Sequence, residues 1–492
     1  MGARVSARKV PRWPILLALA AIVVAAIVFD QRESAHPASA TVEGASVVGA
    51  AVPSPRALST SWYCAEGTST PDGRADETVD VASVSDARIT ATVTVLPGGT
   101  SAPVSRTLQL EPREEQHVHV ADLVASPEPA VVVEVVGGQA VVAHEITAEG
   151  DVATEPCARG ASSDWYFANG TTLKGATQYL VLFDPFGDDA VVDVSFVTDD
   201  GVQQPDALQG LSVPRRSRVS IAIQDSVPRQ REVAIHVHAR TGRVVAERSQ
   251  MFDGTASEGE VVRHGVALSL GADAPSRSWY FPEGTTADGA TSTLAVANFG
   301  DTSTSVSVGV SLEGSQTFAA QSVDVPARSV TSVNLATGVP AGSQYAVTVT
   351  SGDAEGRGAP VVAELLSWWP DASSSTGVAS TMGSTRLARR WVVPQPSARV
   401  DGIVTVLNPG GSAASAAMLV YTAGDTTGPP SEPERAIDAG HVGVFDVAGI
   451  GITGQHVLVV TSAAPIAVGV HFTGVDGAAA NAAIPDYNPG AS

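Results

Sequence analysis

The chain has 492 residues, 44% of them hydrophobic and 16% charged, and its formal net charge is −22. The length favours three or four domains, and the hydrophobic content is too high for a disordered chain. Nucleic acid is excluded as an expected partner, because its phosphates would be repelled. Such a charge is more typical of solubility than of a cation-binding or basic-partner surface.

The N-terminal region carries the features of a membrane signal. An apolar run spans residues 15–29 and ends before Asp30, and four basic residues precede it: Arg4, Arg8, Lys9 and Arg12. Positive charge before the run and negative charge after it predicts a cytoplasmic N-terminus. We therefore expect a cytoplasmic segment at 1–13, a transmembrane signal anchor at 14–30, and a flexible Ala/Ser/Pro/Gly-rich tether at 31–57.

Cleavage of this signal is an alternative. The apolar run is short for a membrane-spanning helix and long for a signal-peptide core. The small residues Ala38-Ser39-Ala40 would suit a signal peptidase, although they lie farther from the run than usual. The expected location is thus the cell membrane, with a single span and the bulk of the chain outside the cytoplasm. Secretion after cleavage is the second interpretation.

One motif recurs four times after the predicted tether. It reads WYCAEGTS at 62–69, WYFANGTT at 165–172 and WYFPEGTT at 279–286, and it decays to WVVP at 391–394. The leading residues, Trp62, Trp165, Trp279 and Trp391, lie 103, 114 and 112 residues apart. This spacing predicts one module used four times, at 58–158, 159–271, 272–383 and 384–485, with a tail at 486–492.

Each module has the pattern of an antiparallel β-sandwich. Val306, Val308 and Val310 alternate with serine and glycine, which is typical of a strand with one buried face. A Gly/Ala-rich strand ends the second, third and fourth modules, at residues 265–271, 377–383 and 477–484. Seven or eight strands in roughly 105 residues predict an all-β, immunoglobulin-like fold with a buried motif tryptophan. β-Propeller blades are much shorter than these modules, so a propeller is disfavoured.

Tandem Trp-Tyr-Phe-x-x-Gly-Thr-Thr units behind a single apolar segment resemble an uncharacterised family of secreted or membrane-anchored actinobacterial proteins, classed only as a domain of unknown function. The resemblance covers about residues 58–485 and is most specific in the second and third modules. The fourth module departs from the motif itself. The resemblance implies no catalytic residues.

Both cysteines fall in the first module. Cys64 takes the place of a motif phenylalanine, and Cys157 takes that of a glycine eight residues before the next motif tryptophan. The corresponding pairs are Phe167 with Gly271 and Phe281 with Gly383. An extracytoplasmic location permits a disulfide, so we predict a structural Cys64–Cys157 bridge. Free thiols and a metal pair are the alternatives, although zinc would also need placed histidines.

Two His-x-His pairs, His117/His119 and His236/His238, have the strand spacing that turns both rings to one face and suits a metal. Neither pair recurs at the same module position. His236 and His238 alternate with apolar residues, which favours solvent-facing rings. We therefore expect no metal and no cofactor.

A glutamate follows Val-Val-Ala at Glu247 and Glu364, and His144 holds that place in the first module. A glutamate repeated once per module is more typical of an acceptor for a backbone or indole N–H than of catalysis, because paired catalytic carboxylates must converge in one site. The sequence holds no nucleophile elbow, phosphate-binding glycine loop or zinc-protease helix motif. The prediction is that the protein is not an enzyme and has no catalytic residues.

Trp368 and Trp369 are adjacent, so a strand turns them to opposite sides. Core packing or a contact between modules is the leading interpretation, and a binding surface for a sugar or a protein is the alternative. The predicted function is a non-enzymatic cell-envelope binding or scaffolding protein, since a row of sandwiches can hold a surface away from the membrane. A wall-glycan-binding array and an envelope enzyme accessory are the other hypotheses. The expected partners are the membrane and either envelope proteins or cell-wall glycan.

Overall fold

A computed structural model of the protein describes residues 48–54, 56–314, 318–335, 338–352, 358–370, 376–397, 401–424, 433–447, 456–474 and 477–486. The chain separates into two units, Met1–Ser46 and Val47–Ser492, and only the second contains described residues. The predicted cytoplasmic segment, anchor and cleavage site lie outside them. None of the helices in the described ranges is both long enough and apolar enough to cross a membrane.

The described chain is nearly all antiparallel strand, as its alternating valine, threonine and serine predict. Module 1 contains β1 (Ser59–Cys64), β2 (Asp76–Ser83), β3 (Ile89–Leu96), β4 (Val104–Leu110), β5 (Glu115–His119), β6 (Ala130–Val136), β7 (Ala140–Ala148) and β8 (Asp151–Pro156). Module 2 contains β9 (Asp164–Phe167), β10 (Ala176–Asp184), β11 (Ala190–Thr198), β12 (Gly201–Gln203), β13 (Leu211–Val213), β14 (Ser217–Ala222), β15 (Val233–Thr241), β16 (Val245–Asp253) and β17 (His264–Leu270).

The second half of the chain repeats this order. Module 3 contains β18 (Ser278–Thr285), β19 (Thr291–Asn298), β20 (Thr304–Leu312), β21 (Gln321–Val325), β22 (Ser329–Asn334), β23 (Gln344–Ser351), β24 (Val362–Trp369) and β25 (Gly377–Met382). Module 4 contains β26 (Ala388–Val393), β27 (Asp401–Leu407), β28 (Ala414–Thr422), β29 (Arg435–Ile437), β30 (Val442–Asp446), β31 (His456–Gly474), β32 (Gly477–Ala482) and β33 (Ile484–Pro485). Single helical turns occur at Val120–Asp122, Asp206–Leu208, Ile223–Ser226 and Ala287–Gly289.

Each of the first three modules has two sheets. In module 3 the strand orders are β18-β23-β20-β21 and β22-β19-β24-β25, and module 1 has the same arrangement as β1-β6-β3-β4 and β5-β2-β7-β8. Module 2 has β12-β11-β15-β9 and β14-β10-β16-β17. We call the sheet that contains β8, β17, β25 or β32 the inner sheet of its module and the other the outer sheet. In module 4 the long strand β31 pairs with β26 and β28 in one layer and with β27 and β32 in the other.

An apolar core fills the space between the two sheets of each module, and the motif tryptophan lies within it at 0–1% exposure. Three of the indoles donate across the core to a backbone carbonyl. Trp165 Nε1 is 2.7 Å from Val244 O, and Trp279 Nε1 is 2.9 Å from Val361 O. In module 4, Trp391 Nε1 is 3.1 Å from Ile466 O. These three carbonyls therefore mark one equivalent position in modules 2, 3 and 4.

The four inner sheets meet at a common centre. Strand β8 packs against β17, β17 against β25, β25 against β32, and β32 against β8. Asp151 ties this centre together, because its Oδ2 accepts the amide of Val266 at 3.1 Å and that of Val378 at 2.9 Å. A Cβ at Gly265 would lie 2.2 Å from the same oxygen. Glycine at position 265 is therefore required by the close approach of Asp151 to this strand.

The ring closes where module 4 meets module 1. Val52 donates its amide to Pro485 O at 2.8 Å, and Ala51 and Val52 are buried. One apolar cluster joins Trp62 of module 1 with Val392 and Ile484 of module 4. Residues 48–54 therefore differ from the predicted tether, because small apolar side chains fill this seam. The modules form a closed ring and not a row, which removes the geometric basis for the spacer argument.

The predicted disulfide is confirmed: Cys64 and Cys157 are bonded, with their Cα atoms 4.9 Å apart and both side chains buried. In module 2, Phe167 fills the equivalent space, and a Cβ at Gly271 would lie 2.9 Å from its ring. A phenylalanine at the first position therefore needs a glycine at the second. The cysteine pair is another way of filling the same volume.

We expect Cys64→Ala with Cys157→Ala to lower the free energy of unfolding by about 2–4 kcal/mol, because the bridge closes a loop of 93 residues in the unfolded chain. Denaturant titration would measure the loss. The matched variant, Cys64→Phe with Cys157→Gly, should recover part of it by restoring the Phe/Gly packing of modules 2 and 3. Rapid reaction of the non-reduced wild-type protein with a thiol reagent would contradict the bridge.

Candidate functional site

The buried charged side chains are concentrated at the interfaces between successive modules, which we call seams. In each seam, the two residues that follow the Trp-x-x triplet of one motif face the inner sheet of the next module. There they lie against one position of the strand, three residues after the residue whose carbonyl accepts the indole N–H of the motif tryptophan. We call this the junction position, and the residues that hold it in modules 1 to 4 are His144, Glu247, Glu364 and Gly469.

In the first two seams the junction glutamate accepts two consecutive backbone amides. Glu247 Oε2 lies 2.9 Å from the amide of Ala65 and 2.6 Å from that of Glu66. Glu364 Oε2 lies 3.1 Å and 2.9 Å from the equivalent amides, those of Ala168 and Asn169. The expectation of a backbone acceptor is confirmed. The sequence did not reveal that the donors belong to the preceding module.

The seam between modules 1 and 2 also holds a buried histidine. His144 Nδ1 is 3.3 Å from Glu77 Oε1, and its Nε2 is 3.4 Å from Glu247 Oε2. Burial alone would lower the pKa of His144, but the two carboxylates outweigh it and raise the pKa to about 9. The ring is therefore an imidazolium at neutral pH, and it bridges the carboxylates of two modules.

The seam between modules 2 and 3 contains a buried ion pair. Arg248 Nη2 lies 2.5 Å from Glu364 Oε1, and the same oxygen accepts the hydroxyls of Ser269 at 2.9 Å and Ser380 at 2.7 Å. The Arg248 guanidinium also donates to the carbonyl of Asn169. Sequence reasoning missed Arg248, although an arginine within an otherwise buried strand was a usable signal.

The seam between modules 3 and 4 reverses the arrangement. Here the carboxylate belongs to the motif, as Glu283, and the junction position is Gly469. A Cβ at Gly469 would lie 2.6 Å from Glu283 Oε2, so glycine makes room for the glutamate. Burial raises the pKa of Glu283 to about 8, because the ionised form loses its hydration. Glu283 is therefore largely protonated at neutral pH.

In the seam that closes the ring, between modules 4 and 1, two other carboxylates of module 1 accept backbone amides of module 4. Glu115 Oε1 accepts the amide of Gln395 at 3.2 Å, and Glu145 Oε2 accepts that of Ser397 at 2.9 Å. Burial, reinforced by the nearby Asp80 carboxylate, raises the pKa of Glu115 to about 8. Every seam therefore contains a buried carboxyl group.

Trp368 and Trp369 lie in two different seams. Trp368 packs with Phe252 and Ala267 of module 2, whereas Trp369 packs with Ala480 of module 4 and stacks on His471 at 5.9 Å. Their exposures are 8% and 2%. The opposite directions predicted for adjacent strand residues thus place each indole against a neighbouring module. Burial leaves neither ring face open for stacking on a sugar.

Two groups of metal-binding residue types cluster within the described ranges. One consists of Cys64, Cys157 and His144, and its sulfurs are consumed by the disulfide. The other is Asp164, His236 and His238, on the outer sheet of module 2. Sequence reasoning noticed the two histidines but not Asp164, because the register between β9 and β15 cannot be read from spacing along the chain.

Comparison with known proteins gives a family but no activity. The model of a family described as "Family of unknown function (DUF5719)" matches residues 146–260 and 267–487, which is more than half of the chain. No curated protein matches. Among solved structures, the crystal structure of Thermotoga maritima 1070 is 20% identical, covers 22% of this chain and 94% of that chain, and has a TM-score of 0.20. So low a score supports no inference about fold or function.

Glu364→Ala should lower the free energy of unfolding by about 3–5 kcal/mol, because it leaves the Arg248 guanidinium buried without its partner. Replacing both residues with methionine should recover only part of this loss, because the amides of Ala168 and Asn169 would stay buried without an acceptor. Asp301→Ala is the matched control, since it breaks the exposed Asp301–Arg328 pair and should cost about 1 kcal/mol or less. Equal losses in Glu364→Ala and Asp301→Ala would contradict a structural role for the seam.

The stability of the protein should fall as the pH rises, in part through Glu283. The folded protein keeps a proton on this side chain up to about pH 8, whereas the unfolded chain releases it near the ordinary value of 4.5. Each pH unit in this window therefore lowers the free energy of unfolding by about 1.4 kcal/mol. Glu283→Gln should remove this pH-dependent contribution. The free energy of unfolding of the variant should therefore rise relative to that of the wild type from about pH 5 to pH 8. Denaturant titration across this pH range measures the effect. Glu258→Gln, at an exposed site, is the control. Parallel pH profiles of the free energy of unfolding for Glu283→Gln and the wild type would refute the assignment.

Proposed function

Because the chain belongs to a family of unknown function, we propose from its geometry that it is a non-enzymatic binding or scaffolding protein of the cell envelope. The supporting observation is that the buried charged side chains bind groups of the adjoining module. Glu247, Glu364 and Arg248 are at most 1% exposed and are engaged by groups of the adjoining module. A catalytic carboxylate must reach a substrate, whereas these side chains hold modules together.

The proposed location is outside the cytoplasm, behind an N-terminal anchor. The basic residues before the apolar run at 15–29 and Asp30 after it support this orientation. The Cys64–Cys157 bridge supports it independently, because disulfides persist in oxidising compartments. The motif resemblance favours an actinobacterial envelope. Secretion after signal cleavage remains the alternative.

We infer a kinship of the modules with immunoglobulin-like sandwiches from the pairing of their central strands. In module 3 the second strand (β19) pairs with the fifth (β22), and the third (β20) pairs with the sixth (β23). Immunoglobulin sandwiches have the same B–E and C–F pairs. The first and seventh strands, β18 and β24, lie in exchanged sheets relative to that fold. This exchange brings the seventh strand and its junction residue to the inner sheet, where the seams form.

The ring favours a protein partner over wall glycan. A ring braced at every seam presents outer sheets of fixed geometry, which suits recognition of a folded surface with little ordering cost. Glycan binding usually relies on exposed aromatic platforms, and the candidates for that role, Trp368 and Trp369, are buried. Envelope proteins are therefore the proposed partners, together with the membrane through the anchor.

Lysine distribution gives a direct test of this proposal. The sequence has lysine only at Lys9, on the predicted cytoplasmic side, and at Lys174, which is exposed on module 2. A membrane-impermeant reagent with an amine-reactive end and a photoactivated end should label the protein on intact cells and cross-link it to a defined envelope protein. Lys174→Arg is the matched control and should lose both signals.

The outcomes separate the hypotheses. Absence of Lys174 labelling on intact cells, with labelling after lysis, would overturn the extracytoplasmic location. Labelling without protein capture, combined with sedimentation of the purified chain with wall glycan, would replace the scaffold hypothesis with a glycan-binding array. Mass spectrometry of the cross-linked product identifies the partner in the expected case.

A further inference from the structure

Three side chains of metal-binding type meet on the outer face of module 2. His236 and His238 project from the same side of β15, and Asp164 lies on the neighbouring strand β9, directly opposite His238. His236 Nε2 is 3.0 Å from Asp164 Oδ1, and His238 Nδ1 is 2.9 Å from the same oxygen. Two imidazole nitrogens and one carboxylate oxygen therefore converge on one point.

Two of the three spacings are near those of a first-row metal site, and all three donor atoms lie within 4.8 Å of one another. In a tetrahedral zinc site with bonds of about 2.0–2.1 Å, neighbouring ligand atoms are roughly 3.3 Å apart. The two contacts of Asp164 Oδ1 need to lengthen by only a few tenths of an ångström to reach this spacing. Imidazole with carboxylate is a ligand set that suits zinc, copper and nickel ions. An ion would take the place of the protons that now link the three side chains.

The surrounding residues hold the ligands in place. Tyr166 stacks on His236 with ring centroids 4.4 Å apart and nearly parallel planes, and Phe299 of module 3 lies 6.0 Å from the same imidazole. The hydroxyl of Ser163 donates to Asp164 Oδ2 at 2.8 Å, which leaves Oδ1 directed at the histidines. Ligands fixed by packing and by outer hydrogen bonds are typical of metal sites.

The nearest guanidinium does not compete for the site. Arg240 is engaged by Asp193, with Nε 2.6 Å from Asp193 Oδ2. The carboxylate of Asp164 is therefore left to the two histidines.

We propose that Asp164, His236 and His238 bind one divalent transition-metal ion of the zinc class, with a further coordination position open to solvent. The side chain of His238 is 52% exposed, so water or a donor atom from a partner can reach the ion. Three protein ligands with one open position distinguish this arrangement from a closed structural zinc site. The proposal does not depend on the envelope scaffold function.

The other His-x-His pair shows that spacing alone is insufficient. On β5, His117 Nδ1 contacts Asp80 at 2.6 Å, whereas His119 Nε2 contacts Asp76 at 2.9 Å. Each histidine of this pair has its own carboxylate, and the donor atoms do not converge. His119 is therefore a matched control with the same sequence pattern and no predicted site.

The test is a zinc titration of the purified full chain after metal removal, in competition with a chromophoric chelator. We expect one equivalent to bind. His238→Asn should weaken binding by roughly 100-fold or more, since even outer-shell changes commonly cost 10–100-fold. Asp164→Asn should also weaken it, whereas His119→Gln should bind like the wild type.

Cobalt substitution provides a second readout, because Co²⁺ bound by two imidazoles and a carboxylate gives visible absorption bands that the His238→Asn variant should lack. His238 is half exposed, so its replacement should leave folding intact, and a thermal unfolding scan would verify this. Absence of stoichiometric zinc binding by the wild type would overturn the proposal. Equal binding by the wild type and His238→Asn would overturn it as well.

Discussion

The ring depends on one constraint: a carboxyl group that is buried away from water must either find hydrogen-bond donors or keep its proton. Glu247 and Glu364 find them in two consecutive amides of the preceding module, at the bend where the motif leaves its first strand. The module that supplies the amides cannot bury them alone, and the module that supplies the carboxylate cannot bury it alone. Each module is therefore completed by its neighbour, which explains why the motif and the glutamate recur together.

The other two seams, between modules 3 and 4 and between modules 4 and 1, depart from this scheme. Module 4 has Gly469 at its junction position because the preceding motif brings its own carboxyl group, Glu283. Module 1 has His144, which turns to Glu77 and Glu247 while Glu115 and Glu145 receive module 4. Equivalent seams are thus built from three different arrangements of hydrogen-bond donors and acceptors. A repeat identified only by identical residues would miss this equivalence.

Much of the fold could be predicted from the sequence, because its determinants are local. Strand alternation, the turn residues and the tryptophan spacing depend on neighbouring residues, and the Cys64–Cys157 bridge followed from comparing equivalent positions. The ring could not be predicted in this way. It depends on which face of each last strand meets the next module, and the pairing of Arg248 with Glu364 spans 116 residues without any spacing rule. The convergence of Asp164 with His236 likewise depends on strand register.

Ring closure also constrains how the protein matures. Chains emerge from the ribosome N-terminus first, so module 1 exists before the residues that cover one of its sides have been made. Until 391–397 arrive, Glu115 and Glu145 stay hydrated and the seam that will receive Val392 and Ile484 stays open. Module 1 is therefore fully covered only after module 4 has been made. A chain that stops short of module 4 would leave two uncovered flanks, one on module 1 and one on module 3.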